Sequence, residues 1–165
     1  MGGDRPVTYA LVLATILLAT LLDIYPLEFE HQIFRPQFVL LVAIYWIYVL
    51  PQSTSMTLLL ILGLLQDVIV GTPLGQHPLM LTLVGYLCLR SYRRMRHFAR
   101  WQEALWVFVL VVLAQLVAYW VQSLAGREFA GLEFMMPALA SASVWPMLAL
   151  ILDAVRRRYR ISRQI

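Results

Sequence analysis

The chain has 165 residues, 61% of them hydrophobic and 13% charged, with a mean hydropathy of +0.75. Soluble domains carry about a quarter charged residues, so a water-covered globule is excluded, and the repeated apolar runs are too many for a single anchor. The net charge of +4 comes from 13 arginines and no lysine, most of them in two clusters beside apolar runs, which suits a membrane surface and not a nucleic-acid groove.

Lipid tolerates only backbone that is hydrogen-bonded internally, and the continuous apolar runs lack the alternation of barrel strands, so they predict helices. In chain order the predicted spans cover 7–25, 37–50, 56–70, 74–89, 104–124 and 136–155. The expectation is an all-α integral membrane protein, a bundle of six transmembrane helices in one polytopic domain over 1–165. The first run exceeds the apolar core of a signal peptide and is read as a first span. Breakers separate the runs: Pro26, "FRP" at 34–36, "PQSTS" at 51–55, "GTPLG" at 71–75, the arginine-rich 90–100, and "GREFAGLE" at 126–133. Runs two and three are short for a bilayer that asks for about 20 residues. Pro36 is expected in the first turn of the second helix, where its missing N–H costs nothing. Pro146 is expected to kink the sixth.

Orientation follows from the arginines. Six spans put Arg5, the 90–100 cluster (Arg90, Arg93, Arg94, Arg96, Arg100) and the tail (Arg156, Arg157, Arg158, Arg160, Arg163) on one side. Only Arg35 and Arg127 fall on the other, among Glu28, Glu30, Glu128 and Glu133. Both termini are therefore expected in the cytoplasm. The clusters serve as topology signals, as attraction to an anionic leaflet, or as a receptor for an acidic partner; the residues do not separate these.

The sequence offers no catalytic, cofactor-binding or metal constellation. His31, His77 and His97 are scattered over three loops, and no HExxH, phosphate loop or nucleophile elbow occurs. Cys88 lies alone within an apolar run, without an intrachain disulfide partner. Two acids, Asp23 and Asp67, lie within spans, where a charge at mid-membrane costs about 3 kcal/mol. Each is near the C-terminal end of its own helix, against the macrodipole, so other groups must favour it. Arg35 and His77 fall on the same side, and a polar cluster of Asp23, Asp67, Arg35 and His77 is expected there. An interhelical clamp is the plainest reading, ahead of a partner interface. A proton path would need further acids, and Asp153 alone is a thin continuation. In the fifth span Gln115, Tyr119 and Gln122 form one polar stripe beside Ala114 and Ala118, the kind of surface that joins helices in lipid. It serves packing within the chain or contact with another membrane protein. Ala10/Ala14 and Ala138/Ala142 are weaker small-residue pairs.

"FRPQFVLLVAIYWIYVLP" (34–51) followed by "GLLQDVIVGTPLGQHPL" (63–79) resembles the rod shape-determining MreD family in its proteobacterial form. "RWQEALWVF" (100–108) and the Trp-Pro at 145–146 fit the same pattern, so that essentially the whole chain is covered. The resemblance implies a non-enzymatic, multi-pass component of the bacterial inner membrane, without cofactor, that serves the cell-wall elongation machinery. The implied partners are the bitopic protein MreC and, through it, MreB, RodA and a penicillin-binding transpeptidase; a homo-oligomer is also open. By the same resemblance Arg35, Pro36, Asp67, Gly71 and Gly75 occupy family motifs, with structural or interface roles. The family is thought to share its membrane fold with substrate-binding subunits of vitamin transporters, which supplies the alternative of a small-molecule-binding transporter subunit. A membrane enzyme of lipid or wall-precursor metabolism is a third class, for which clustered acids or a nucleophile would be needed.

Overall fold

The stretch FVLLVAIYWIYV, residues 38–49, is apolar on every side of a helix, and such a helix belongs inside a bundle. In the computed structural model, which describes residues 5–24, 35–95, 98–126 and 135–159, it is α2 (Phe38–Val49), and ten of its 12 residues are buried. Around it stand α1 (Arg5–Ile24), α3 (Met56–Val70), α4 (Gln76–Met95), α5 (Arg100–Leu124) and α6 (Met135–Arg158). The described residues contain no strand. α2 packs against α1, α4 and α6, while α3 pairs with α4, and α5 lies between α4 and α6. Leu41, Ile44, Val84, Val107, Leu110 and Val111 form the middle of the core.

The outer faces carry large aliphatic side chains such as Leu17, Leu65, Val68, Leu116 and Met147, all exposed. In water that surface would be an aggregation hazard; in lipid it is what a bundle requires. Three helices, α1, α5 and α6, are long and apolar enough to cross a membrane, and α2 and α3 are shorter apolar helices. This is the architecture of an all-α membrane protein.

The helix limits differ from the apolar runs in informative ways. α4 continues through Arg90, Arg93 and Arg94 to Met95, about two turns past the last apolar residue, Leu89. Arginine is a good helix former, so leaving the apolar run does not end the helix; the stretch read as a loop from 90 is mostly helix. α5 likewise starts at Arg100, where Gln102 Oε1 accepts the Ala99 N–H at 2.9 Å. Pro36 is not in the first turn of α2: the helix begins at Phe38 with Gln37 as its N-cap residue. α6 runs through Pro146. Tyr25, Pro26, Glu28, Glu30, His31, Arg96, His97, Arg127, Glu128, Glu133, Arg160 and Arg163 lie outside the described residues.

Candidate functional site

Gly71 ends α3 in the left-handed conformation, φ 73°, with its N–H on the Asp67 carbonyl at 2.9 Å. A side chain is strained there, which is why glycine closes the helix. The chain then turns through Pro73 and a second left-handed glycine, Gly75 at φ 103°, and enters α4. This turn folds the start of α4 back over the Asp67 carboxylate. Asp67 Oδ2 accepts the Gly75 N–H at 2.6 Å, and Oδ1 accepts the His77 N–H at 3.0 Å and the Thr72 hydroxyl at 2.9 Å. His77 Nδ1 lies 2.6 Å from Oδ1, an ion pair when the ring is protonated and a hydrogen bond when Nδ1–H is the neutral tautomer. The carboxylate is thus disfavoured by its own helix dipole and favoured by that of the next helix, whose free N–H groups it caps. Such a cap contributes about 0.5–2 kcal/mol. Among the described residues all four donors to Asp67 come from Thr72, Gly75 and His77, and Arg35 is not one of them.

Asp23 repeats the arrangement one hairpin earlier. From the end of α1 its Oδ1 and Oδ2 accept the N–H groups of Phe38 and Val39, each at 3.1 Å, and so cap α2. Asp23 therefore does for the start of α2 what Pro36 was expected to ease. Arg35 completes the exchange by donating from Nη2 to the Leu22 carbonyl at 2.7 Å, at the free C-terminal end of α1.

Asp23, Arg35 and His77 surround one open cavity of about 280 Å³, with Gln37, Gln66 and Gln115 also in its wall. Asp67, 1% exposed, sits behind His77. Gln115 is buried in the cavity wall, whereas Tyr119 and Gln122 are half-buried further along α5. Gln37 donates its backbone N–H to Ser141 Oγ at 3.1 Å, tying α6 to the same site. The Gln37 and Gln76 side-chain carbonyl oxygens are buried with no hydrogen-bond partner among the described residues. The cavity offers a carboxylate, a guanidinium and several amides around a partly apolar floor that includes Leu40, Met80 and Leu81. That chemistry suits a peptide segment or a small polar molecule.

Gly63, not among the residues singled out from the sequence, sets how closely α3 and α4 approach. A methyl group there would lie 2.5 Å from Pro78 Cα and 2.7 Å from the His77 carbonyl carbon. A lone glycine inside an apolar run is the only signal for it. A second polar group, at the opposite end of the bundle, was also not legible. Buried Asp153 accepts the Tyr45 hydroxyl at 2.8 Å, and pairs with Arg100 at 3.2 Å and Arg156 at 3.4 Å. Beside it Trp106 Nε1 donates to the Tyr48 hydroxyl at 3.0 Å, and that hydroxyl lies 3.4 Å from Ser91 Oγ. These contacts pin α2, α4, α5 and α6 together. Asp23 meets α2 at Phe38 and Val39 and Asp153 meets it at Tyr45, and Leu41 and Ile44 in the turns between are wholly buried.

Comparison with known proteins gives one consistent result. The family described as rod shape-determining protein MreD matches residues 4–155. The rod shape-determining protein MreD of Haemophilus influenzae is 27% identical over 150 residues, covering 91% of this chain and 93% of that protein. No solved structure matches the chain. With the match running from the start of α1 almost to the end of α6, the chain belongs to the MreD family of rod shape-determining proteins.

Proposed function

We propose that this protein is a non-enzymatic scaffold of the cell-wall elongation machinery in the bacterial inner membrane, acting with the bitopic protein MreC. Through MreC it would connect with MreB, RodA and a penicillin-binding transpeptidase. Membership of the MreD family supports a role in determining rod shape. The observation that carries the scaffold reading is the state of the two embedded acids. Both accept backbone N–H groups at the start of the following helix, so they hold the rim of a cavity in place.

Sidedness follows from the arginines. Arg90, Arg93, Arg94, Arg100, Arg156, Arg157 and Arg158 belong to the end of the bundle opposite Arg35 and the cavity. The positive-inside rule then makes the cavity face the periplasm and leaves both termini in the cytoplasm. A periplasmic cavity with peptide-like hydrogen-bonding groups is suited to a membrane-proximal segment of a bitopic partner. In this reading Asp23, Arg35, Pro36, Asp67, Gly71 and Gly75 shape that receptor, and Gln115, Tyr119 and Gln122 line or flank it along α5.

The test is purification in mild detergent from cells depleted of the endogenous protein and complemented with this one. Recovery with MreC, together with restored rods, supports the scaffold. The cavity volume also supports a second reading, a small-molecule-binding subunit of a transporter. A co-purified vitamin-like compound, with uptake lost and shape kept on depletion, would favour that reading.

A further inference from the structure

The two edges of the bundle are built to different heights. α5 exposes Trp101 and Trp120, 67% and 61% accessible, at positions 19 residues apart. That spacing is about 28 Å along a helix, close to the thickness of the hydrocarbon core, and tryptophans favour its two boundaries. α3, the most lipid-exposed element of the opposite edge, has 15 residues and spans about 22 Å. It is closed by the hydroxyl-rich 52–55 at one end and the Gly71–Gly75 turn at the other. Its partner α4 has polar groups at His77 and at exposed Arg90, 13 residues apart, which is about 20 Å. Two antiparallel helices thus set the same short apolar height independently. Snorkelling by Arg90 recovers part of the difference, at one boundary only.

The outer face of α3 identifies what lies against it. Leu58, Ile61, Leu65, Val68 and Ile69 are exposed and aliphatic. The small and polar residues that make helices adhere in lipid, Gly63, Gln66 and Asp67, are turned inward and buried. Leu58, Ile61 and Leu65 wall an apolar groove shared with Tyr9, Leu13 and Ile16 of α1, and Val68 and Ile69 continue the same aliphatic surface, which offers acyl chains contact and no small or polar seam to a further helix. We propose that the α3–α4 edge thins the bilayer beside it, so that the protein carries a membrane face of normal thickness along α5 and a thinned one along α3. This rests on α3 and α4 being a pair of spans, and not on any partner. Mismatch of this kind sorts lipids and proteins by length; the thin edge would recruit short or disordered chains.

The experiment is a depth scan in vesicles of dioleoyl phosphatidylethanolamine and phosphatidylglycerol, using single spin-labelled cysteines on a Cys88→Ser background. Labels at Leu58, Ile61, Leu65 and Val68 report α3, and labels at Leu105, Val109 and Leu116 report α5. Oxygen against nickel-chelate accessibility should give a hydrocarbon zone of about 20 Å on α3 and about 28 Å on α5. Replacing both Thr57 and Arg90 by leucine should widen the α3 zone by about one helical turn. Equal zones on both edges would overturn the proposal. So would α3 labels shielded from both relaxants, as under a second copy or another helix, or α3 ends that both report the same side of the membrane. None of these outcomes depends on cell shape or on recovery of a partner, so the scaffold reading stands or falls separately.

Discussion

His77 Nδ1 lies 2.6 Å from Asp67 Oδ1, and the backbone N–H of the same histidine reaches that oxygen at 3.0 Å. One residue at the start of α4 therefore holds an acid at the end of α3 by two bonds, which fixes how the hairpin closes. Asp67→Asn keeps an oxygen that can accept from Gly75 or His77, whereas Asp67→Leu leaves those donors buried and unpaired. Orphaning one partner of a buried charged pair costs roughly 3–5 kcal/mol in soluble proteins, and less near a membrane interface. Asp67→Leu should therefore lower membrane abundance strongly and Asp67→Asn mildly. A double-mutant cycle with His77→Leu should give a large coupling, and one with Arg35→Leu a small one. Loss of function in Asp67→Asn at normal abundance and normal partner recovery would mean that the charge itself is used.

Glycines separate by mechanism. Gly63→Ala drives a methyl into the backbone of Pro78, whereas Gly71→Ala and Gly75→Ala meet no atom within 4 Å and suffer only a left-handed φ. The conformational penalty is about 1–2 kcal/mol per residue. Thermal stability in detergent should fall further for Gly63→Ala than for either turn glycine. Equal losses would contradict the close approach of α3 to α4.

At the opposite end, Tyr45→Phe removes one bond to Asp153 and leaves the two arginines in place. It should cost about 0.6–2 kcal/mol, the range for a hydrogen bond between helices in lipid. Asp153→Leu should cost more, since it removes at once an acceptor shared by Tyr45, Arg100 and Arg156. Unfolding in graded denaturing detergent would rank the two, and a reversed order would argue against Asp153 as the organising acid.

Much of the fold could be read from the chain. The apolar runs place all six helices to within a few residues at most ends, and a run as uniformly apolar as 38–49 had to be buried. The need of Asp67 for compensating donors was also legible, because its own helix dipole opposes it. His77 was legible as its partner; the backbone donors and Thr72 were not, since they depend on a turn of two left-handed glycines that brings residues 75 and 77 back over position 67. The error at Pro36 has the same source: Asp23 caps α2 from 15 residues away, which no local pattern records. The end of α4 was misplaced because hydropathy marks where the membrane stops and not where the helix does. Tyr45, Asp153 and Arg100 meet across more than fifty residues of sequence, and only packing brings them together.

Sidedness has its own check. Cysteine labelling in intact cells should modify positions 35–37 from outside and positions 93–95 and 157–159 only after permeabilisation. Finding the two arginine clusters on opposite sides would contradict the arrangement of six crossings.

As a scaffold, the protein would receive its wall-elongation partner in the cavity bounded by Asp23, Arg35 and His77. Val70 lies at its edge, 45% exposed, so Val70→Trp fills the opening without disturbing the core. The decisive measurement is recovery of MreC with this variant, made alongside membrane abundance and cell shape in a depleted strain. Normal abundance, MreC recovery reduced at least tenfold, and round cells are expected. Rods with full MreC recovery, at an abundance equal to the unmodified protein, would contradict that role for the cavity.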